Sequence, residues 1–76
     1  MKVGDLVTAK DHALGIYGIN YETGEYIRIK PHAPPQIITK IIQMKDCEVL
    51  EAEIYLPWRN EKCRVTGSDL LIVSEV

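Results

Sequence analysis

Four residues in one short segment have side chains suited to anchoring a binding partner: Tyr55, Pro57, Trp58 and Arg59. Trp, Tyr and Arg contribute more than most residue types to the free energy of protein–protein association. The alternative is a structural role, in which Trp58 folds back and covers one end of the fold. Because proline and charged residues surround Trp58, we predict that it is exposed and anchors a protein partner.

A second group of residues interleaves aromatic and basic side chains: Tyr17, Tyr21, Tyr26, Arg28 and Lys30. Such side chains stack on bases and hold phosphates in proteins that bind single-stranded nucleic acid. They are also compatible with an ordinary hairpin, whose tyrosines cover the sheet while the charges lie in water. The formal net charge of −2, with no run of basic residues, favours the ordinary hairpin. Nucleic-acid binding is therefore the second hypothesis.

Four residues belong to the types that bind zinc, but they lack the closely spaced Cys or His pairs of zinc sites. Two of them, Cys47 and Cys63, also flank a predicted strand, whose rise of about 3.3 Å per residue places them at opposite ends of the fold. We predict no metal and no cofactor, with Cys63 buried as a small apolar residue. The four residues are His12, His32, Cys47 and Cys63.

Catalytic patterns are equally weak. Ser68 and Ser74 lie in a predicted turn and a terminal strand, without a glycine-bracketed nucleophile motif. Glu51 and Glu53 share one face of a predicted strand, where water solvates both carboxylates and nothing separates their pKa values. We therefore predict that the chain is not an enzyme.

Short runs of β-branched and aromatic residues, separated by Gly, Pro, Asn and Asp, predict a mainly β fold. Residues 36–44 also fit a short helix, but their four isoleucines favour a strand, with a β-bulge near Thr39 or Lys40 where the alternation slips. Strands are predicted at 2–8, 15–21, 25–30, 36–44, 49–56, 62–66 and 70–74, with Gly24 at positive φ in a hairpin loop and a tight or 3₁₀ turn at 67–69.

The 76 residues are enough for one domain, since so short a chain cannot bury two cores. Within residues 1–76 we predict an inserted hairpin over residues 14–30. A surface crossover follows over residues 31–35, because three prolines remove the backbone donors that a sheet interior requires. This rigid crossover is a further candidate contact, since it loses little entropy on docking.

Composition indicates an ordinary globular domain, with 46% hydrophobic and 26% charged residues. Gly4 and Asp5 interrupt any apolar signal segment, and no stretch approaches the ~18 apolar residues of a membrane span. Two distant cysteines agree with a reducing compartment. We expect a cytoplasmic protein with no membrane partner.

Two stretches resemble SH3-like barrels: residues 3–7 (VGDLV) and residues 63–73 (CRVTGSDLLIV). They resemble the opening strand and the closing strand, 3₁₀ turn and strand of that fold. The resemblance implies a single five-stranded SH3-like barrel, with residues 36–44 and 49–56 as its second and third strands. The hairpin over residues 14–30 is then an addition between the first and second barrel strands.

The opening phrase KVGDLV is similar to that of short accessory proteins of tailed bacteriophages, some of which are built into virions. This likeness implies a non-catalytic protein-interaction or assembly module, located in the cytoplasm or in a virion. Its partner would be another protein, a larger assembly or a second copy of the chain. A small inhibitor of a host protein is a further alternative.

Departures from better-characterised SH3-like families limit what the resemblance implies. The chain has no ALYDY phrase and no paired tryptophan, so the proline-rich peptide groove of signalling SH3 domains does not transfer to it. A nucleic-acid-binding barrel of the KOW or Tudor type is the alternative function. Gln36 stands where a KOW motif has a glycine, which disfavours that alternative.

Overall fold

A computed structural model of the chain describes residues 1–10, 15–31, 33–43 and 50–75. Among these residues no helix is long and apolar enough to span a membrane. The regular elements are β1 (Leu6–Ala9), β2 (Ile16–Asn20), β3 (Glu25–Ile29), β4 (Gln36–Gln43), β5 (Leu50–Leu56), β6 (Glu61–Thr66), the 3₁₀ turn η1 (Gly67–Asp69) and β7 (Leu70–Ser74).

All seven strands belong to one antiparallel sheet with the order β3-β2-β6-β5-β4-β1-β7. The sheet curls into a half-barrel. The prediction of a mainly β fold is confirmed. Strands β3 and β7 are the two ends of the sheet.

Strand β5 shows how the sheet places its apolar side chains on one face. Its residues alternate between buried Ala52, Ile54 and Leu56 and half-buried Glu51, Glu53 and Tyr55, as predicted. Successive side chains of a strand point to opposite faces, so every second residue of β5 enters the core. The buried hydrophobic residues of the whole sheet are Val7, Ala9, Ile16, Ile27, Ile29, Ile38, Ala52, Ile54, Leu56, Cys63, Val65 and Leu70.

Residues Gln36–Gln43 form a strand, β4, and not the alternative short helix. The pairing of β4 with β5 shifts register between Ile38 and Lys40. The predicted bulge is therefore confirmed. The hydroxyl of Thr39, the residue within the shift, donates a hydrogen bond to the carbonyl of Glu53 across the ladder (3.2 Å). The bulge restores the inward alternation on both sides of Thr39, which a regular strand would lose.

The first strand is shorter than predicted. Residues 2–5 form a turn, in which the Asp5 amide donates to the carbonyl of Lys2 and Gly4 has a φ of 95°. The Asp5 carboxylate accepts a hydrogen bond from the Lys2 amide at 2.8 Å. These local bonds compete with the sheet for the backbone, so β1 begins only at Leu6.

Strands β2 and β3 pair as a hairpin from Ile16 opposite Ile29 to Asn20 opposite Glu25. The Gly24 amide closes the loop by donating to the carbonyl of Asn20 (2.6 Å), and Gly24 has the predicted positive φ, at 73°. Strand β2 also pairs with β6, where Ile19 lies opposite Arg64. The hairpin therefore extends the sheet beyond β6 and places β3 at the end.

Candidate interaction surface

The turn between β5 and β6 holds Trp58 outward. Leu56 is the first residue of this turn and Pro57 the second. The Arg59 amide closes the turn by donating to the carbonyl of Leu56 at 3.1 Å. Proline favours the second position of such a turn because its ring already has the required φ. Asn60 has a φ of 51°, and its side-chain oxygen accepts a hydrogen bond from the Tyr55 hydroxyl at 2.6 Å. With the backbone restrained at both ends, Trp58 remains 43% exposed.

Arg59 ties this turn to the hairpin. Its guanidinium lies 3.1 Å from the Glu25 carboxylate at the start of β3 and 3.6 Å from the Glu61 carboxylate at the start of β6. Exposed ion pairs of this kind contribute at most about 1 kcal/mol each. Their main effect here is orientation, because they link the Trp58 turn to two neighbouring strands.

Trp58 forms one wall of a cleft of about 380 Å³, which we call the Trp58 cleft. Arg28 of β3 and Lys30, the residue after β3, line it together with Ala33 and Pro34 of the crossover. The crossover is held by two hydrogen bonds, from the Ala33 amide to the Lys30 carbonyl and from the side-chain amide of buried Gln36 to the Pro34 carbonyl. The cleft thus combines an apolar surface with two cationic groups.

Among the described residues, the charged side chains that line the Trp58 cleft are both basic. None of the described residues that line it carries a carboxylate. Within the described part of the chain, no acidic side chain lies within ion-pair distance of the Lys30 ammonium. A ligand entering the cleft therefore meets the Lys30 ammonium beside an indole ring.

A second groove of about 450 Å³ lies on the other side of the same turn, and we call it the Tyr21 groove. The guanidinium of Arg64 lies 4.3 Å from the centre of the Tyr21 ring, in a cation–π contact. Tyr55, Lys62 and three carboxylates also line the groove, those of Glu22, Glu53 and Glu61. With Arg64, the lining of the Tyr21 groove therefore carries charged groups of both signs.

The two groups of predicted site residues are regrouped by the fold. Trp58 lines a cleft with Arg28 and Lys30, whereas Tyr55 lines the other groove with Tyr21. The remaining two residues of the aromatic and basic group, Tyr17 and Tyr26, are 62% and 72% exposed on the outer face of the hairpin. Tyr17 lies opposite Arg28 in the β2–β3 pairing.

Sequence reasoning did not identify Arg64 as a site residue, whereas Ala33 belongs to the crossover that was predicted as a further candidate contact. Arg64 alternates with inward-facing Cys63 and Val65 in β6, so its outward position follows from the strand pattern. Its contact with Tyr21 depends on the pairing of β2 with β6, which no local pattern indicates. Ala33 lies within the predicted crossover, but its place beside Trp58 depends on the tertiary fold.

Of the four residues considered for zinc, His12, His32 and Cys47 lie outside the described residues. Cys63 is buried, as predicted, with its sulfur in the space beside Gly18, where a Cβ would lie only 2.5 Å from Sγ. Burial, reinforced by the negative charge of Glu61, raises the pKa of the Cys63 thiol from 9.0 to about 11. The thiol is therefore protonated at neutral pH and a poor nucleophile.

We expect Cys63 to make the free energy of unfolding depend on pH above about pH 9. The folded chain holds the thiol proton more tightly than the unfolded chain does, so the stabilisation is present below pH 9 and is lost as pH rises to about 11. The loss should reach roughly 2–3 kcal/mol. Urea unfolding of Cys47→Ser and Cys47→Ser/Cys63→Ala, compared at each pH, isolates the thiol. A difference between the two variants that stays constant from pH 8 to pH 11 would contradict the assignment.

Comparison with protein-family models, with characterised proteins and with solved structures finds no match for this chain.

Proposed function

We propose that this protein is a non-catalytic protein-interaction or assembly module that engages its partner through the Trp58 cleft. The observation that carries the proposal is the position of Trp58, which is exposed at a restrained turn and lies beside a proline and two cations. Exposed tryptophan and arginine are frequent anchors in interfaces. A restrained turn and a rigid crossover lose little conformational entropy when a partner binds.

The strand order supports a further proposal, that the domain is an SH3-like barrel. Strands β6, β5, β4, β1 and β7 are neighbours in that order, and η1 lies between β6 and β7. These are the five strands that the sequence resemblance assigns to the barrel, with β2 and β3 as the added hairpin. The likeness of the KVGDLV phrase to accessory proteins of tailed bacteriophages supports a role in a larger assembly, such as a virion.

Replacing Trp58 tests the proposed function. We expect Trp58→Ala to abolish co-purification of protein partners captured with the tagged chain from its native lysate, because the cleft loses its aromatic wall. The far-UV circular dichroism should stay near that of the wild type, since the indole is largely outside the core. Tyr26→Ala is the matched control, because it removes an exposed aromatic side chain that does not line the cleft. Partner recovery that is equal for Trp58→Ala and the wild type would refute the proposal.

Nucleic-acid binding is the second candidate function. The observation that favours it is the exposed pair Tyr17 and Tyr26 on the same hairpin as Arg28. A phosphate backbone that extends past the turn meets both signs of charge in the Tyr21 groove, where three carboxylates lie beside Lys62 and Arg64. Repeating the capture after nuclease treatment separates the two functions, because only partners held through nucleic acid are lost.

A further inference from the structure

We propose that the outer edge of β7 is the interface of a homodimer, in which β7 of a second copy pairs antiparallel with β7 about a two-fold axis at Leu71. This surface is separate from the one used in the proposed function. Strand β7 lies at the end of the sheet opposite β3, and none of its residues lines the Trp58 cleft or the Tyr21 groove.

Strand β7 exposes apolar side chains on both faces of the sheet. Leu71 lies opposite Thr8 and Ile72 lies opposite buried Val7, so the two neighbouring side chains point to different faces. They are nevertheless 47% and 39% exposed, and Val73, where the register with β1 shifts, is 54% exposed. A partner packed on one face of the sheet would cover only part of this surface. A strand added at the edge contacts both faces.

The large exposed aliphatic side chains of the described residues are gathered on this side of the sheet. They all lie within residues 1–3, in β7, or in β1 and β4, the two strands beside β7. Leu6 of β1 and Ile37 of β4, for example, lie directly opposite each other. The large apolar residues exposed elsewhere are all aromatic, three tyrosines and Trp58. A contiguous aliphatic patch of this kind marks a surface that a protein covers.

The two end strands of the sheet differ in charge. Natural sheets limit the pairing of their end strands with other chains by placing charged side chains there. Strand β3 contains Glu25, which pairs with Arg59, and Arg28. Strand β7 has no charged residue from Leu70 to Ser74. Pairing of β3 with β7 of another copy would place charged groups beside apolar side chains, so the favoured partner strand is a second β7.

The charges at the ends of β7 determine the register of the pair. An axis at Ile72 would place Asp69 opposite Glu75 of the second copy, and like charges directly opposite each other destabilise a strand pair. An axis at Leu71 places Asp69 opposite Val73 and Leu71 opposite its own counterpart. Residues 70–72, which precede the register shift at Val73, then form the ladder. The same surface serves both copies, as a two-fold axis requires.

The interface is small, so the dimer is expected to be weak. A specific interface takes roughly 800 Å² from each partner, about one sixth of the 5080 Å² that the chain exposes. Three partly exposed side chains and the edge of a five-residue strand cover less than this. We expect a Kd on the order of 100 µM.

Sedimentation velocity of the full-length chain, from about 5 µM to about 1 mM, measures this association. We expect largely monomer at the lower concentration and largely dimer at the higher. Leu71→Lys should raise the Kd about tenfold or more, because two ammonium groups then lie opposite each other at the axis. Tyr26→Lys is the matched control, since it adds the same charge at an exposed position of the other end strand. It should dimerise as the wild type does.

A disulfide tests the position of the axis without adding charge. Leu71→Cys in a Cys47→Ser background should form an intermolecular disulfide under mild oxidation, since directly opposed residues have Cβ atoms about 4.5–5.5 Å apart. Tyr26→Cys in the same background should form much less, because it lies on the other end strand. Cys63 is buried and therefore does not compete.

Three results would overturn the inference. They are a wild-type chain that stays monomeric up to about 1 mM, equal weakening by Leu71→Lys and Tyr26→Lys, and assemblies larger than a dimer, which indicate a contact between unlike surfaces. Trp58→Ala separates this interface from the proposed function, because it should lose its captured partners and still dimerise. A dimer that is lost in Trp58→Ala and retained in Leu71→Lys would place the second copy in the Trp58 cleft and remove the β7 interface.

Discussion

Gly15→Ala is expected to destabilise the fold by roughly 2–5 kcal/mol, the sum of a backbone and a steric cost. Gly15 has a φ of 75°, a conformation that residues with a Cβ rarely adopt. A Cβ at this position would also lie 2.5 Å from the carbonyl oxygen of Ile29. That oxygen belongs to the backbone of β3, so it cannot rotate away as a flexible side chain would. Either Gly15 or the end of the hairpin must shift.

Gly24→Ala is the matched control for this prediction. Gly24 has nearly the same φ, at 73°, but a Cβ added there would meet no atom within 4 Å beyond its chain neighbours. Its substitution should therefore cost only the backbone conformation, about 1–2 kcal/mol. Urea unfolding followed by Trp58 fluorescence measures both variants, with trimethylamine oxide in every sample so that each variant is folded before urea is added. Equal free-energy costs for Gly15→Ala and Gly24→Ala would contradict the close contact between residue 15 and the carbonyl oxygen of Ile29.

Ile54→Ala is expected to cost roughly 2–5 kcal/mol through the cavity that it leaves. Ile54 is fully buried in β5 and is paired with Ile38 on one side and Cys63 on the other. A core of this size supplies only about 3–5 kcal/mol in total. We therefore expect Ile54→Ala to be largely unfolded in water, with loss of the circular dichroism of the sheet. A stabilising osmolyte such as trimethylamine oxide should restore the folded state and allow its stability to be measured.

Ile37→Ala provides the comparison on the neighbouring strand. Ile37 lies in β4 opposite Tyr55, but it is 39% exposed on the outer face of the sheet. Its truncation removes the same atoms and leaves no closed cavity, so the cost should stay below about 1 kcal/mol. If Ile37→Ala proved the more destabilising of the two, the assignment of inner and outer faces would be inverted.

Local patterns in the sequence determined the elements of this fold. The alternation in residues 50–56 determines which side of β5 is buried, because successive side chains of a strand point to opposite faces. The slip in the isoleucine-rich run predicted the bulge beside Thr39, and Gly24 predicted the hairpin loop. The start of β1 was predicted too early. Hydrogen bonds between Lys2 and Asp5 form a turn there, and the alternation of apolar and polar residues does not indicate such bonds.

Only the tertiary structure decided which side chains share a site. Trp58 follows Arg28 by thirty positions in the sequence, yet both line one cleft. Tyr21 and Tyr55 belong to different predicted groups and line the same groove. These associations arise because β2 pairs with β6, which brings the hairpin beside the turn that carries Trp58. Residue type and strand period act over a few positions, whereas a binding surface is assembled from strands distant in sequence, and their pairing depends on how the whole sheet closes over its core.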